Sequence, residues 1–409
     1  MITALYADDS GEIFDAPGFA GLGRSGAVQV LLREEDLIPL PESADLMFLP
    51  DRLAMGEKDG EIMPITGRAV AAILPAGYTR IYMPAYHRTE GATQLPLYGY
   101  AAVVLYKEAL YVAAVYTDEN MKWDPVHYNT HELKKLVNRT RKELKGNRIV
   151  EQVGNCSLKW HCCTAQNLFY RRWEAGIPTS PTCNANCFGC ISLQPAECCP
   201  SPQSRISFSP TPEEIAAVGI YHLETAPEAI ISFGQGCEGE PSLAADAIAA
   251  GMKLIRRQTD RGQININTNA GYTEGIKKIV DAGLDTMRVS IISGLESSYQ
   301  AYYRGSYDLA AVKASIKYAK KKGVYISLNM LYFPGLNDRE EELAGWQAFL
   351  REAPVDMIQV RNLNIDPDAF LEIMPEAQGK AVGTREFLRR LQQAFPALVI
   401  GSFSHYIEN

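Results

Sequence analysis

Residues 183–190 read Cys-Asn-Ala-Asn-Cys-Phe-Gly-Cys, which places Cys183, Cys187 and Cys190 on one short loop. Three thiolates on one loop are able to bind three irons of a [4Fe–4S] cluster. No fourth cysteine follows at matching spacing, so one iron would stay open for another ligand. A structural zinc site needs four ligands, commonly as two Cys-x-x-Cys pairs. The spacing by itself leaves zinc binding open, and the residues that follow it favour iron.

Composition limits the class of protein. The chain has 409 residues, of which 46% are hydrophobic, and this content predicts a large core and about two or three domains. The net charge is −8, and the sequence pI is about 5.5. Long basic tracts with interleaved aromatic residues are absent from the sequence. We therefore do not expect nucleic acid as a partner.

Cysteine usage and the lack of targeting signals predict a cytoplasmic protein. The start of the sequence, residues 1–4, has neither a charged leader nor an apolar segment typical of a signal peptide. No apolar run reaches about 18 residues, so no membrane partner is expected. In a reducing compartment the nine cysteines are expected to be metal ligands or buried thiols rather than disulfides.

Residues 1–125 are predicted to form a β-rich accessory domain. Runs of β-forming residues at 27–32, 79–83, 101–106 and 110–116 are separated by turn residues. The last two runs are typical of a hairpin. The domain carries no recognisable motif, which leaves open a substrate- or partner-facing module and a structural cap.

Residues 126–176 are predicted to be a helical linker. A charged segment at 131–145 has the composition of a helix, and a second helix is predicted at 164–175. In the second segment Leu168, Phe169 and Trp173 recur at helical spacing.

Residues 177–409 alternate predicted strands with helices, which implies an α/β domain with parallel strands and right-handed crossovers. The first helix opens at the capping box Thr211-Pro212-Glu213-Glu214 and runs to about 223. Six units fall short of a closed eight-unit barrel. Periodicity alone leaves an open barrel and a doubly wound sheet equally favoured. The strands are predicted at 177–182, 229–233, 264–268, 286–292, 324–331 and 357–361, with a final edge strand at 397–403; the remaining helices are predicted at 243–257, 273–282, 309–321, 339–351 and 385–394.

Ligand-binding residues are expected directly after these strands, because the carboxyl ends of parallel strands share one edge. The second strand is followed by Gly-Gln-Gly-Cys-Glu-Gly-Glu-Pro at residues 234–241. A glycine-rich turn of this kind is able to bind phosphate. Two carboxylates in the turn, Glu238 and Glu240, would repel phosphate and favour a cation.

The cysteine loop and the strand-end residues together resemble the radical S-adenosylmethionine (radical SAM) superfamily. The resemblance covers about residues 177–400. It implies a partial (β/α)6 TIM-type barrel as the core, in addition to the N-terminal β-rich accessory domain. It further implies a [4Fe–4S] cluster held by the three cysteines, with S-adenosylmethionine on the open iron. The reduced cluster would cleave this cosubstrate and start hydrogen abstraction on a substrate.

The resemblance also implies ligands for the cosubstrate. Residues 234–241 are similar to a Gly-Gly-Glu-Pro motif, with Glu238 in place of its first glycine, and the motif binds the methionyl ammonium. Residues 267–271 are similar to a Thr-Asn-Gly turn. The implied positions are Gly239 and Glu240 for the ammonium, Thr268 and Asn269 for ribose hydroxyls or substrate, and Ser290 for ribose and carboxylate. Arg304 is implied for the methionyl carboxylate, and Asn329 and Arg361 are implied on the last two strands. One departure is Gly189, since the superfamily usually has an aromatic residue directly before the third cysteine.

Cofactors and partners beyond the first cluster are also predicted. Six further cysteines are candidate ligands of an auxiliary iron–sulfur cluster, against the alternative of buried free thiols: Cys156, Cys162, Cys163, Cys198, Cys199 and Cys237. We expect an oxidoreductase supplied with electrons by a donor such as flavodoxin or ferredoxin. The substrate is predicted to be a peptide or a small metabolite, selected by the N-terminal domain. The alternative function is a non-catalytic iron–sulfur or zinc-binding scaffold.

Overall fold

The computed structural model describes residues 1–119, 121–194 and 201–408. The first of these ranges folds into a single antiparallel sheet of short and long strands. The strands are β1 (Thr3–Ala7), β2 (Ile13–Ser25), β3 (Val28–Leu31), β4 (Leu37–Pro39), β5 (Asp45–Lys58), β6 (Glu61–Ile73), β7 (Tyr78–Arg80), β8 (Met83–Pro84), β9 (Tyr86–Arg88), β10 (Tyr100–Tyr106) and β11 (Ala109–Tyr116).

The sheet order is β3-β2-β5-β6-β1-β10-β11-β4, and further pairings of β1 with β2 and of β6 with β10 curl the sheet back on itself. The predicted hairpin is confirmed as β10 and β11, with Tyr106 opposite Ala109. The two turn residues, Lys107 and Glu108, both have positive φ, as a tight hairpin turn requires. The long strands β5 and β6 were not predicted, because Gly56, Pro64 and irregular pairing interrupt their alternation.

Helices follow the sheet and lead into a parallel barrel sheet. Three of them, α1 (Leu133–Glu143), α2 (Arg148–Lys159) and α3 (Cys163–Tyr170), lie in the predicted linker and share the hydrophobic core of the barrel. The barrel elements are β12 (Glu174–Gly176), α4 (Pro212–Thr225), β13 (Ile230–Phe233), α5 (Ala245–Arg256), β14 (Gln263–Thr268), α6 (Thr273–Asp281), β15 (Thr286–Ile291), α7 (Glu296–Tyr303), α8 (Leu309–Lys321), β16 (Tyr325–Tyr332), α9 (Glu340–Glu352), β17 (Met357–Asn362), α10 (Pro367–Ile373), α11 (Thr384–Ala394) and β18 (Val399–Gly401).

The barrel strands pair in chain order from β12 to β18, and every pair is parallel. This order confirms the partial TIM-type barrel and excludes a doubly wound sheet, whose strand order reverses at a switch point. The predicted edge strand is β18. The capping box is also confirmed, since Thr211 accepts from the amide of Glu214 and Glu214 from the amide of Thr211.

Two predicted bounds were wrong. The first strand lies at Glu174–Gly176 rather than 177–182, because residues after Ile177 leave the sheet and pair with the turn after β13. The helix predicted at 164–175 ends at Tyr170, since Arg171 and Trp173 adopt left-handed backbone angles. Helices α7 and α10 were not predicted. Among the described helices, none has the length and apolar character needed to cross a membrane.

Candidate active site

The cysteine loop lies over the carboxyl ends of the strands and is fixed there by the end of α7. The amides of Asn186 and Phe188 donate to the carbonyl oxygens of Tyr303 and Tyr302, at 3.0 and 2.9 Å. The amide of Ser306 donates to the carbonyl oxygen of Asn184 at 3.0 Å. These bonds set the loop backbone without using any of its thiols.

Cys183, Cys187 and Cys190 are free thiols that are each partly buried. Burial raises the pKa of Cys187, and the neighbouring thiols of Cys183 and Cys190 raise it further. The guanidinium of Arg205 lies 3.4 Å from the sulfur of Cys190 and also donates to the hydroxyl of Ser192 at 3.1 Å. Arg205 was not predicted, because no spacing pattern in the sequence connects it to the cysteines.

The donor set fits an iron–sulfur cluster. Three free, partly buried cysteines stand on one loop, and Arg205 supplies a positive charge beside Cys190. In the described ranges, no three His, Cys, Asp or Glu side chains converge as ligands of a single metal ion. A cluster does not require such convergence, since each of its cysteines binds a different iron.

Glu240 lies beside this loop and is almost fully buried. One carboxylate oxygen accepts from the amide of Ser242 at 3.0 Å and from the hydroxyl of Thr268, and the other accepts from the amide of Asn269 at 2.9 Å. Burial raises the pKa of Glu240, while these donors oppose the rise. The side-chain amide of Asn269 donates to the side chain of Asn184 in the cysteine loop at 2.7 Å. These hydrogen bonds bring Glu240, Thr268 and Asn269 together.

Glycine is required at two places in the turn after β13. A Cβ at Gly239 would lie 2.0 Å from the carbonyl oxygen of Thr182, and one at Gly234 would lie 1.7 Å from that of Asn267. The close approach allows the amide of Gly239 to donate to Ser180 at 2.7 Å. The turn and the segment leading to the cysteines are thus in backbone contact.

Glu238, which stands where the motif has a glycine, organises this contact. One oxygen accepts from the amide and hydroxyl of Thr179 and from the amide of Ser180, at 2.7 to 2.9 Å. The other accepts from the amides of Gly234 and Gln235, at 2.6 and 3.1 Å. Burial raises the pKa of Glu238 to about 7. All five donors belong to the protein, so Glu238 joins two loops.

Two adjacent cavities open above and inside the barrel. The upper cavity, of about 340 Å³, is bordered by Gly189, Tyr302 and residues 73–78. The lumen cavity, of about 510 Å³, is bordered by Asn267 and Ser290 from the barrel strands. Four residues line both cavities: Ala76, Ile191, Asn329 and Arg361.

The structure places Ser290, Asn329 and Arg361 on cavity walls, whereas Arg304 lies at the cysteine loop. Arg304 follows α7 with a left-handed backbone, and its guanidinium lies 5.1 Å from the ring centre of Phe188. No acid lies within ion-pair distance of Arg304 or Arg361 in the part of the chain that the structure describes.

The N-terminal domain covers the upper cavity. The amide of Ile365 donates to the carbonyl oxygen of Tyr98 at 3.1 Å. Arg80 is fully buried and donates to the carbonyl oxygen of Leu363 at 2.8 Å and to that of Tyr100 at 3.2 Å. Burial lowers the pKa of Arg80 to about 9. Residues of the first domain therefore form one wall of the candidate site.

Gly189 has a structural reason to lack a side chain. A Cβ there would lie 2.9 Å from the hydroxyl oxygen of Tyr302 and 3.0 Å from a methyl carbon of Ile365. Tyr302 thus occupies the space beside the third cysteine. The superfamily's aromatic residue at this place would clash with it.

The further cysteines that the structure describes are free thiols. Cys156 and Cys237 are buried. Cys162 accepts from the side chain of Gln203 at 3.8 Å, and Cys163 borders the lumen cavity. The predicted ligands Cys198 and Cys199 lie outside the described residues. The auxiliary cluster stays a prediction.

Comparison with known proteins identifies the barrel. Residues 177–346 match the family model described as the Radical SAM superfamily. No curated protein matches the chain. Solved structures that match part of the chain include methylornithine synthase (PylB), with a TM-score of 0.39 and 14% identity, covering 67% of this chain and 72% of that one. SuiB of Streptococcus suis, bound to precursor peptide SuiA, has a TM-score of 0.40 and 13% identity, covering 63% and 54%. A radical SAM methyltransferase from Sphaerobacter thermophilus has a TM-score of 0.40 and 15% identity, covering 57% and 67%.

Proposed function

Because residues 177–346 belong to the radical SAM superfamily, whose members use a [4Fe–4S] cluster and S-adenosylmethionine, we propose that this enzyme binds the cluster through Cys183, Cys187 and Cys190 and starts hydrogen abstraction on a second molecule. When bound, the cluster supplies the electron that cleaves the sulfonium. The protein supplies binding, orientation and the exclusion of water.

One hydrogen bond carries the proposal. The amide of Glu240 donates to the carbonyl oxygen of Thr182 at 2.8 Å, and Thr182 directly precedes Cys183. The buried carboxylate proposed to bind the methionyl ammonium is therefore fixed beside the first cluster ligand. The methionyl part of S-adenosylmethionine would need both an acceptor for its amino group and a nearby iron, and Glu240 and Cys183 lie side by side to provide them.

The remaining groups have distinct roles in the proposal. Thr268 and the amide of Asn269 hold the Glu240 carboxylate in place, which leaves its remaining lone pairs for the ammonium. Arg304 offers a guanidinium without an acid partner among the described residues, and it would pair with the methionyl carboxylate. Ser290 and Asn329 on the cavity walls would bind ribose hydroxyls.

Water exclusion falls to the N-terminal domain in this proposal. Residues 73–78 and Tyr98 close one side of the upper cavity next to Gly189. A radical formed in a closed cavity is protected from side reactions. The proposal also includes a division of the chain into residues 1–125, 126–176 and 177–409 and a cytoplasmic location. The electron donor would be a flavodoxin or ferredoxin, and the substrate a peptide or small metabolite.

The test is anaerobic reconstitution followed by reduction with dithionite. The wild-type enzyme should release 5′-deoxyadenosine. The variant with Cys→Ala at positions 183, 187 and 190 should lose about four iron atoms and all release. Cys162→Ala is the matched control and should keep the catalytic cluster and the release. Retained cleavage in the triple variant would overturn the proposal. If Cys162→Ala loses iron but still cleaves S-adenosylmethionine, the lost iron would belong to the auxiliary cluster.

A further inference from the structure

The lumen cavity has an excess of positive charge. Among the described residues that border it, the charged ones are Glu174, Arg288 and Arg361. Two guanidinium groups therefore face one carboxylate in a space of about 510 Å³. Cavities of this size bind small molecules, and charged groups within them set the orientation of the ligand.

Arg361 has no ion-pair partner among the described residues. Its guanidinium donates to the carbonyl oxygen of Ser402 at 2.6 Å, and within the described ranges no acid reaches ion-pair distance. Arg361 is exposed, and it borders both cavities. Desolvation by the surrounding protein, together with the charge of nearby Arg288, lowers the pKa of Arg361 to about 10. Arg361 therefore still carries its charge near neutral pH.

Arg288 is only partly satisfied. It pairs with Glu174 at 2.7 Å and donates to the hydroxyl of Ser404. Its Nε is buried without a hydrogen-bond partner. The same Glu174 oxygen that pairs with Arg288 also accepts a hydrogen bond from the hydroxyl of Ser232 at 2.6 Å. Among the described residues that border the lumen, the single carboxylate of Glu174 does not balance both guanidinium groups.

We infer that the lumen cavity binds a substrate bearing a carboxylate or phosphate group, held chiefly by Arg361 with Arg288 in support. The inference rests on the proposed function, since it takes the ligand of the lumen to be the substrate. Guanidinium groups bind both kinds of anion through paired hydrogen bonds. Asn267 adds a neutral polar group to the wall of the lumen, which suits a polar molecule.

The methionyl carboxylate is the competing anion, because the family resemblance assigns Arg361 to the cosubstrate. Arg304 provides a separate cation at the cysteine loop, 5.1 Å from the ring centre of Phe188. Arg361 and Arg288 lie on the inner face of β17 and β15 and border the lumen. Arg304 is thus available for the methionyl carboxylate of the cosubstrate, and Arg361 and Arg288 in the lumen are left to bind a second anion.

The experiment is calorimetric titration of the reconstituted enzyme with S-adenosylmethionine present and no reductant. The probes are malonate, inorganic phosphate and the neutral analogue malonamide, at constant ionic strength. We expect malonate or phosphate to bind saturably and malonamide not to bind. Malonate alone would identify a carboxylate substrate, and phosphate alone a phosphorylated one.

The variants locate the site. Arg361→Gln should weaken anion binding by roughly tenfold or more, Arg361→Lys should weaken it less, and the exposed Arg257→Gln should leave it unchanged. If Arg361→Gln does not fold, Asn329→Asp provides the same test by adding a negative charge to the shared wall. Equal binding of malonamide and the anions, or no effect of either variant, would overturn the inference.

The cosubstrate readouts keep this inference separate from the proposed function. Arg361→Gln should keep its iron and its affinity for S-adenosylmethionine. A tenfold loss of that affinity with unchanged anion binding would make Arg361 a cosubstrate ligand and overturn the inference. If anion binding depends on Arg361 but the wild-type enzyme does not cleave S-adenosylmethionine, the anion site would be supported and the proposed function would be wrong.

Discussion

Arg52 of the N-terminal sheet and Asp366 at the start of α10 form a buried ion pair at 3.0 Å, with both side chains at most 2% exposed. The same Asp366 oxygen accepts from the amide of Leu95 at 2.7 Å, and its other oxygen caps α10. Arg52 also donates to the carbonyl oxygens of Pro50 and Thr93. One carboxylate therefore joins the first domain to a barrel helix next to the candidate site.

Breaking this pair should destabilise the whole chain. We expect Arg52→Met to lower the free energy of unfolding by about 3–5 kcal/mol, because it leaves the buried Asp366 carboxylate without a charged partner. Arg68→Met is the control, since Arg68 pairs at 3.0 Å with the almost fully exposed Asp9 and should cost at most about 1 kcal/mol. Denaturant unfolding measures both. Similar losses in the two variants would contradict the role of the buried pair.

Glu240→Gln should weaken binding of S-adenosylmethionine by about 1.5–3 kcal/mol while the iron content stays unchanged. The amide loses the charge that attracts an ammonium, and its NH2 must face one of the donors from Ser242, Thr268 or Asn269. Equilibrium binding to the reconstituted enzyme measures the change, with the exposed Glu213→Gln as control. Unchanged affinity would assign the turn after β13 to another ligand.

The barrel was predictable because its strands and helices are regular. Buried parallel strands give short apolar runs in the sequence. The start of α4 is predictable because Thr211 and Glu214 form a capping box through local hydrogen bonds. The short strand Glu174–Gly176 was missed because three residues give no periodicity. The course of residues 177–182 depends on Ser180 and Thr182 pairing with the turn after β13, which is a contact between distant parts of the chain.

Local motifs predicted site roles for the cysteines and Glu240, but they gave no indication of the groups that contact the candidate site from elsewhere in the fold. Glu238 takes the place of a motif glycine, and its five donors come from two separate loops. Arg205 reaches Cys190 from 15 residues away, and residues 73–78 reach the cavity from another domain. No spacing rule connects such residues, so only the folded chain brings them together.

Acid should destabilise the barrel through His222. This imidazole is fully buried, and burial lowers its pKa to about 4. The unfolded chain binds the proton more tightly, so stability is present above about pH 6.5 and is lost as the pH falls toward 4. From pH 7.5 to 5.5 the expected loss from this group is roughly 1 kcal/mol. Denaturant unfolding at the two pH values should show the loss, and His222→Gln should remove that part of it.

Arg205 should set the reduction potential of the catalytic cluster. Its guanidinium lies 3.4 Å from the sulfur of Cys190, and a positive charge beside a cysteine ligand stabilises the reduced, more negative cluster. We expect Arg205→Gln to shift the midpoint potential to a more negative value while about four iron atoms per chain remain bound. Arg205→Lys, which keeps the positive charge, should have a midpoint potential close to that of the wild-type enzyme.

Redox titration followed by electron paramagnetic resonance measures the potential without relying on turnover. The exposed Arg257→Gln is the matched control and should keep the wild-type potential. A purely structural role for Arg205, through its bond to Ser192 at 3.1 Å, would lower iron content in the Gln and Lys variants alike and leave the potential of the remaining clusters unchanged. That pattern would contradict the electrostatic role, because charge retained at position 205 would then make no difference to the cluster.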